Sequence, residues 1–108
     1  MIRVAITIVS YNVQPLLRKC LRSIEESAGA AKYTVETVVV DNASSDGSAA
    51  MVAAEFPDVR LSTPAANLGF TGGNNLALQM LGFPVAAPAT GGAVDVIAEP
   101  PDYVLLLN

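Results

Sequence analysis

The run Val38-Val39-Val40-Asp41-Asn42-Ala43-Ser44-Ser45-Asp46-Gly47-Ser48 decides how this chain folds. Three consecutive β-branched apolar residues read as a strand covered on both faces, since a strand with one wet face would alternate apolar and polar positions. The run then breaks abruptly to an acid, an amide and a polar turn. In open α/β sheets ligands bind just beyond the carboxyl ends of parallel strands, so Asp41 and Asn42 are the first candidates to face a ligand.

Working outward, Ile2 to Val9 is nearly all apolar and β-branched, which predicts a central strand ending at Ser10-Tyr11-Asn12. Pro15 suits a first helical position, and Leu17, Cys20, Leu21, Ile24 and Ala28 recur at helical spacing until Gly29 supplies a stop. A second strand is expected from Thr34 to Val40. Ser45 or Asp46 can then cap a helix that ends before Pro57. Val59 to Ser62 reads as a short third strand. After a loop, a helix is expected from near Gly72 to Leu81, with Leu76, Ala77, Met80 and Leu81 as its buried stripe. Tyr103 to Leu107 reads as a buried fourth strand.

The alternation β-α-β-α-β-α-β implies parallel pairing through crossovers and a spatial strand order 3-2-1-4, a Rossmann-like α/β half-sheet. The order reverses between strands one and four, so Ser10 to Asn12, Asp41 to Asn42, and Asn108 are expected to converge on one crevice. Residues 84–101, rich in Pro, Ala and Gly, read as a loop insertion in which Val94 to Ile97 could add a short strand. The chain stops on a strand with no following helix, so a truncated domain is expected.

Composition narrows the function. With 52% hydrophobic and 15% charged residues over 108 positions, the chain can form a core and is not a disordered tail. A formal net charge of −4 and no basic cluster beyond Arg18, Lys19 and Arg22 argue against a nucleic-acid surface. One cysteine and no histidine exclude an intramolecular disulfide and a transition-metal cluster, and favour a reducing compartment. The first apolar run is far shorter than the ~20 residues of a membrane span and has no signal-peptide cleavage site. A cytoplasmic location follows.

A carboxylate at the end of strand two can accept hydrogen bonds from a ribose hydroxyl or a base imide. Dinucleotide enzymes place such an acid there too, but they also carry a G-x-G-x-x-G turn after strand one, where this chain has Ser10-Tyr11-Asn12-Val13-Gln14-Pro15. Without those glycines a diphosphate needs another counterion, and a divalent cation is the natural one.

Four pieces in register resemble the N-terminal part of an inverting family 2 glycosyltransferase of GT-A fold, in the style of rhamnosyltransferase-like members. They are Ile8 to Asn12, Val39 to Ser48, Asn67-Leu68-Gly69-Phe70 with Gly73-Asn74-Asn75, and Tyr103 to Asn108. The resemblance implies that residues 1–108 are the nucleotide-sugar-binding part of such a domain. It also implies a nucleotide-diphosphate sugar donor, UDP- or dTDP-linked, whose sugar passes with inversion to a hydroxyl of a glycan or lipid-linked acceptor. Ser10, Tyr11, Asn12, Asp41, Asn42, Asn67, Gly69, Gly73, Asn74 and Asn75 would line the donor-nucleotide site. The complete enzyme would use Mg²⁺ or Mn²⁺ and could associate peripherally with the inner face of the membrane. Its metal-binding acid and catalytic base would lie beyond this chain, Asn108 being the first position of an Asn-Pro-Asp motif. No catalytic or metal-ligating residue is therefore assigned here, and the isolated chain is expected to be inactive.

Simpler roles compete. Asp46 suits helix capping, the glycines near 69–73 could serve backbone geometry, Cys20 fits the apolar stripe, and Arg22 can pair with Glu25 or Glu26 one turn on. The alternative function is a non-catalytic nucleotide-binding or regulatory α/β module. A receiver-type signalling domain is disfavoured, because it would want acids where Ser10-Tyr11-Asn12 stand.

Overall fold

The computed structural model describes residues 1–29, 32–84 and 99–107. Its elements are β1 (Arg3–Ser10), α1 (Gln14–Ala28), β2 (Thr34–Asp41), α2 (Ser48–Glu55), β3 (Arg60–Ser62), α3 (Gly69–Met80) and β4 (Tyr103–Leu107). The four strands form a parallel sheet in the order β3-β2-β1-β4, as the alternation of elements requires. Most of the insertion expected at 84–101, its extra strand at Val94–Ile97, and Asn108 lie outside the described residues.

The apolar runs of β1 and β2 are continuous because both faces of the sheet are covered. On one face Ala5, Val38 and Val40 pack against Leu76, Ala77, Met80 and Leu81 of α3 and its end. On the other, Ile8 and Val39 pack against Leu17 and Leu21 of α1 and against Met51, Val52 and Phe56 of α2 and its end. Side chains alternate between faces along a strand. Val38 and Val40 thus serve the α3 layer while Val39 serves the α1/α2 layer, and all three are fully buried. Cys20 and Ile24 pack at the margin of the second cluster, as expected of the α1 stripe.

Two local expectations needed correction. Helix α3 starts at Gly69 rather than near Gly72, because the Asn67 side chain accepts the Gly69 amide at 2.8 Å and closes the turn early. Arg22 bonds Glu55 of α2 at 2.9 Å, not Glu25 or Glu26 of its own helix, and Arg18 joins the same carboxylate at 2.8 Å. The two helices lie side by side on one face, which brings Glu55 within reach of both cations. The Arg18 hydrogen bond, aided by charge attraction from Arg18 and Arg22, holds the Glu55 carboxyl below its usual value. Arg22 also lies over the Phe56 ring, 5.6 Å from its centre.

Strand β4 differs from the buried strand expected. It is the sheet edge, and Tyr103, Leu105 and Leu106 are each about half exposed or more.

Gly73 lets α3 approach the sheet closely. A Cβ there would sit 2.7 Å from Val9 Cγ1 and 3.3 Å from Asn42 Nδ2. Gly73→Ala is expected to destabilise the chain by about 1–3 kcal/mol, the usual cost of overpacking, despite alanine's better helix propensity. The urea midpoint at unchanged slope measures it.

Candidate functional site

The carboxyl ends of β1 and β2 meet in register, Ser10 opposite Asp41, and the Asn42 amide donates to Ser10 O at 2.8 Å. The expected convergence of these two strand ends is therefore present. β4 ends with Leu107 opposite Ile8, two residues short of Ser10.

The loops leaving the two strands are stitched together by side chains. The Asn12 amide donates to Ser44 Oγ at 2.9 Å, and the Ser45 amide donates to Asn12 Oδ1 at 2.8 Å. Asn12 and Ala43 both hold left-handed backbone, at φ of 50° and 61°. Such conformations cost a non-glycine residue roughly 1–3 kcal/mol and concentrate at functional sites. Here one falls in each loop, directly beyond the paired strand ends.

Asp46 is the hub of this stitching. It accepts from the Ser48 amide at 3.0 Å and from Ser48 Oγ at the start of α2, and from the Gln14 amide at 3.0 Å at the start of α1. One carboxylate thus satisfies the free amides of two helices. The Ser48 hydroxyl bond, followed by the Gln14 amide, depresses the Asp46 carboxyl below its ordinary value. A depressed folded-state value means a contribution that is complete above the unfolded value and is lost as pH falls through the folded one. The melting-temperature gap between wild type and Asp46→Ala should therefore be widest at neutral pH. It should begin to close as pH falls through about 3.9 and vanish below the depressed folded value.

Asp41 and Asn42 point to opposite layers, as strand alternation requires. Asp41 follows Val39 onto the α1/α2 side. Its Oδ2 accepts the Ser44 amide at 3.2 Å, whereas Oδ1 is buried with no partner, and the same holds for Ser10 Oγ. Two orphan polar atoms on in-register neighbours are unusual, because an unsatisfied buried polar group costs ~1–3 kcal/mol. Tyr11, next to Ser10, is half exposed.

Asn42 faces the α3 layer and is 2% exposed. Its Oδ1 accepts the Leu68 amide at 3.2 Å and its Nδ2 donates to Gly69 O at 3.0 Å. Asn74 is also buried in that layer, donating to Phe70 O at 3.1 Å, with the Thr7 hydroxyl reaching its Oδ1 at 3.4 Å. Asn67 caps the turn into α3, Gly69 holds φ of 74° within it, and Asn75 lies midway along the helix. All ten candidates thus fall on the strand ends, the two stitched loops, the turn into α3 and the helix as far as Asn75. The stitching roles of Ser44 and Gln14 were not foreseen, although the Ser/Asp-rich turn 44–48 signals local side-chain-to-backbone bonding.

The parallel half-sheet in the order β3-β2-β1-β4, with a carboxylate and a hydroxyl at adjacent strand ends and no glycine-rich turn after β1, defines a Rossmann-like α/β protein without the dinucleotide fingerprint. The family model for glycosyl transferase family 2 matches residues 5–82, and the chain belongs to that family. The match runs from β1 through the end of α3 and leaves β4 outside it. No curated protein and no solved structure shows significant similarity to the chain. Family membership carries glycosyl transfer, from a nucleotide-sugar donor to an acceptor, as the general activity.

The described residues do not fit a divalent cation on their own. No three of their His, Cys, Asp or Glu side chains come together, and Asp41 offers one free carboxylate oxygen. Among the described residues no helix is long and apolar enough to cross a membrane.

Proposed function

We propose that this chain is the donor-binding part of an inverting, rhamnosyltransferase-like glycosyltransferase, and that Asp41 recognises the nucleoside of a UDP- or dTDP-linked sugar. The observation that supports this most is the orphaned pair Asp41 Oδ1 and Ser10 Oγ at the paired strand ends. A base imide N–H or a ribose hydroxyl would give the carboxylate oxygen its missing donor, and Ser10 Oγ can both donate and accept. Tyr11, half exposed beside Ser10, is proposed to cover the base with its ring.

Asp41 is only 2% exposed, so entry of the nucleoside requires the turns at Tyr11–Val13 and Ala43–Ser44 to move outward. Each turn carries one left-handed residue, Asn12 or Ala43, and relief of that backbone strain would offset part of the cost of breaking the bonds that stitch them. Asn12, Asn42, Asn67, Gly69, Gly73, Asn74 and Asn75 shape the crevice walls in this reading. Asn42 and Asn74 do so with their polar atoms bonded inside the protein.

Transfer needs a base near the acceptor hydroxyl, and among the described residues the carboxylates beside the strand ends are Asp41, proposed for recognition, and Asp46, bonded to two helix starts. The isolated chain is therefore proposed to bind donor without turning over. Mg²⁺ or Mn²⁺ accompanying the diphosphate, a glycan or lipid-linked acceptor, and work in the cytoplasm at the inner membrane face belong to the same proposal for the complete enzyme.

Calorimetric titration of the chain with UDP and dTDP, with and without Mn²⁺, tests it. Weak, saturable binding of one nucleotide is expected. Binding of neither would overturn the donor assignment, and sugar transfer by the isolated chain would overturn its proposed inactivity.

A further inference from the structure

The Asn67–Phe70 turn, which opens α3 on the opposite layer of the sheet from the Asp41 side chain, is held to the strand ends by one side chain. Leu68 N–H donates to Asn42 Oδ1 and Asn42 Nδ2 donates to Gly69 O. The two bonds run in opposite senses, which fixes the amide's orientation and makes the contact specific to asparagine. Among the described residues they are the only hydrogen bonds between this turn and the ends of β1 and β2. The Asn42 backbone amide meanwhile donates to Ser10 O, so a single residue joins the ends of β1 and β2 to the start of α3. Each polar end of its side chain is bonded to the turn and only 2% of its surface is exposed, so Asn42 faces the turn rather than a ligand.

We propose that Asn42 is a positioning residue that fixes the Asn67–Phe70 turn against the strand ends and thereby sets the affinity of the crevice for a nucleoside diphosphate without touching it. The proposal rests on the donor-site reading above. Asp41 and Asn42, adjacent in sequence, thus divide the work across the two layers, one recognising the nucleoside and the other holding the opposite wall.

Asn42→Asp is nearly isosteric and keeps an acceptor for Leu68 N–H, but it sets a carboxylate oxygen against Gly69 O. Gly69→Ala perturbs the same turn from the other side. Its φ of 74° disfavours alanine, yet no atom lies within 4 Å of the added Cβ, so the strain is confined to the turn backbone. Each single variant is expected to weaken UDP or dTDP binding about ten-fold, the effect of losing one well-made hydrogen bond. Amide hydrogen exchange at Leu68 to Phe70 should accelerate by a similar factor in the ligand-free protein. The double variant should bind no worse than the weaker-binding single one, because both act through one turn.

Additive losses of affinity, or unchanged exchange at Leu68 to Phe70 in Asn42→Asp, would overturn the positioning role while leaving the donor site standing. If Asn42→Asp does not fold, unchanged affinity in Gly69→Ala has the same force. A wild-type chain that binds neither nucleotide overturns the donor reading, and with it any claim of Asn42 on affinity.

Discussion

Asp41→Ala is expected to weaken UDP or dTDP binding by about 10- to 100-fold, the loss that follows from removing one charge-assisted hydrogen bond of about 1.5–3 kcal/mol. The prediction differs from that for a structural aspartate in its stability signature. In the ligand-free chain Asp41 Oδ1 is buried without a partner while Oδ2 serves only the Ser44 amide. Asp41→Asn keeps the shape and an acceptor for Ser44 N–H but removes the unpaired carboxylate, so its melting temperature should match or exceed that of wild type while nucleotide affinity falls. A structural aspartate would show the reverse, with stability lost and affinity following only through unfolding. Calorimetric titration and a thermal melt on the same samples separate the two.

Phe56→Ala should have the largest effect on folding. Phe56 is 1% exposed, ends α2, and packs in the cluster that joins Ile8 and Val39 of the sheet to Leu17 and Leu21 of α1. Truncation of a buried phenylalanine costs about 3–5 kcal/mol from lost transfer energy and the cavity left behind. The Arg22 guanidinium above the ring loses its stacking partner as well. Set against a total stability of about 5–15 kcal/mol for a domain, this single change should bring the chain close to unfolding at room temperature. Urea denaturation followed by circular dichroism measures it, and a midpoint within error of wild type would contradict the packing described.

The sheet was legible because its signals are local and redundant. Val38 to Val40 could be placed only between two covering layers, and the strands alternate with amphipathic helices in an order that leaves one sensible topology. The position of Asp41 at the end of β2 was legible for the same reason, as the first polar residue after such a run. The α3 side of the strand ends was harder to read. Gly69 to Thr71 look like loop residues by propensity, yet they form the first turn of α3, and a Cβ at Gly73 would meet Val9 of β1 at 2.7 Å. That close approach of helix to sheet, a tertiary fact, suits glycine at 73 despite its poor helix propensity. Glu55 as the partner of Arg18 and Arg22 depends on how α1 and α2 lie beside each other, and no spacing within α1 encodes it. Asn42 as a clamp required the α3 turn to be in place first. Asp46, by contrast, was readable as a cap from its turn sequence, although its second bond to Gln14 was not.

The most direct test of the donor site is a ¹H–¹⁵N correlation spectrum of the chain titrated with UDP and with dTDP. Binding at the proposed crevice should shift the amides of Ser10 to Asn12 and Asp41 to Ser44 first and most strongly, those of Leu68 to Phe70 next, and leave the edge strand Tyr103 to Leu107 unmoved. Saturable shifts confined to other surfaces, with the amides flanking Asp41 unchanged, would contradict the account.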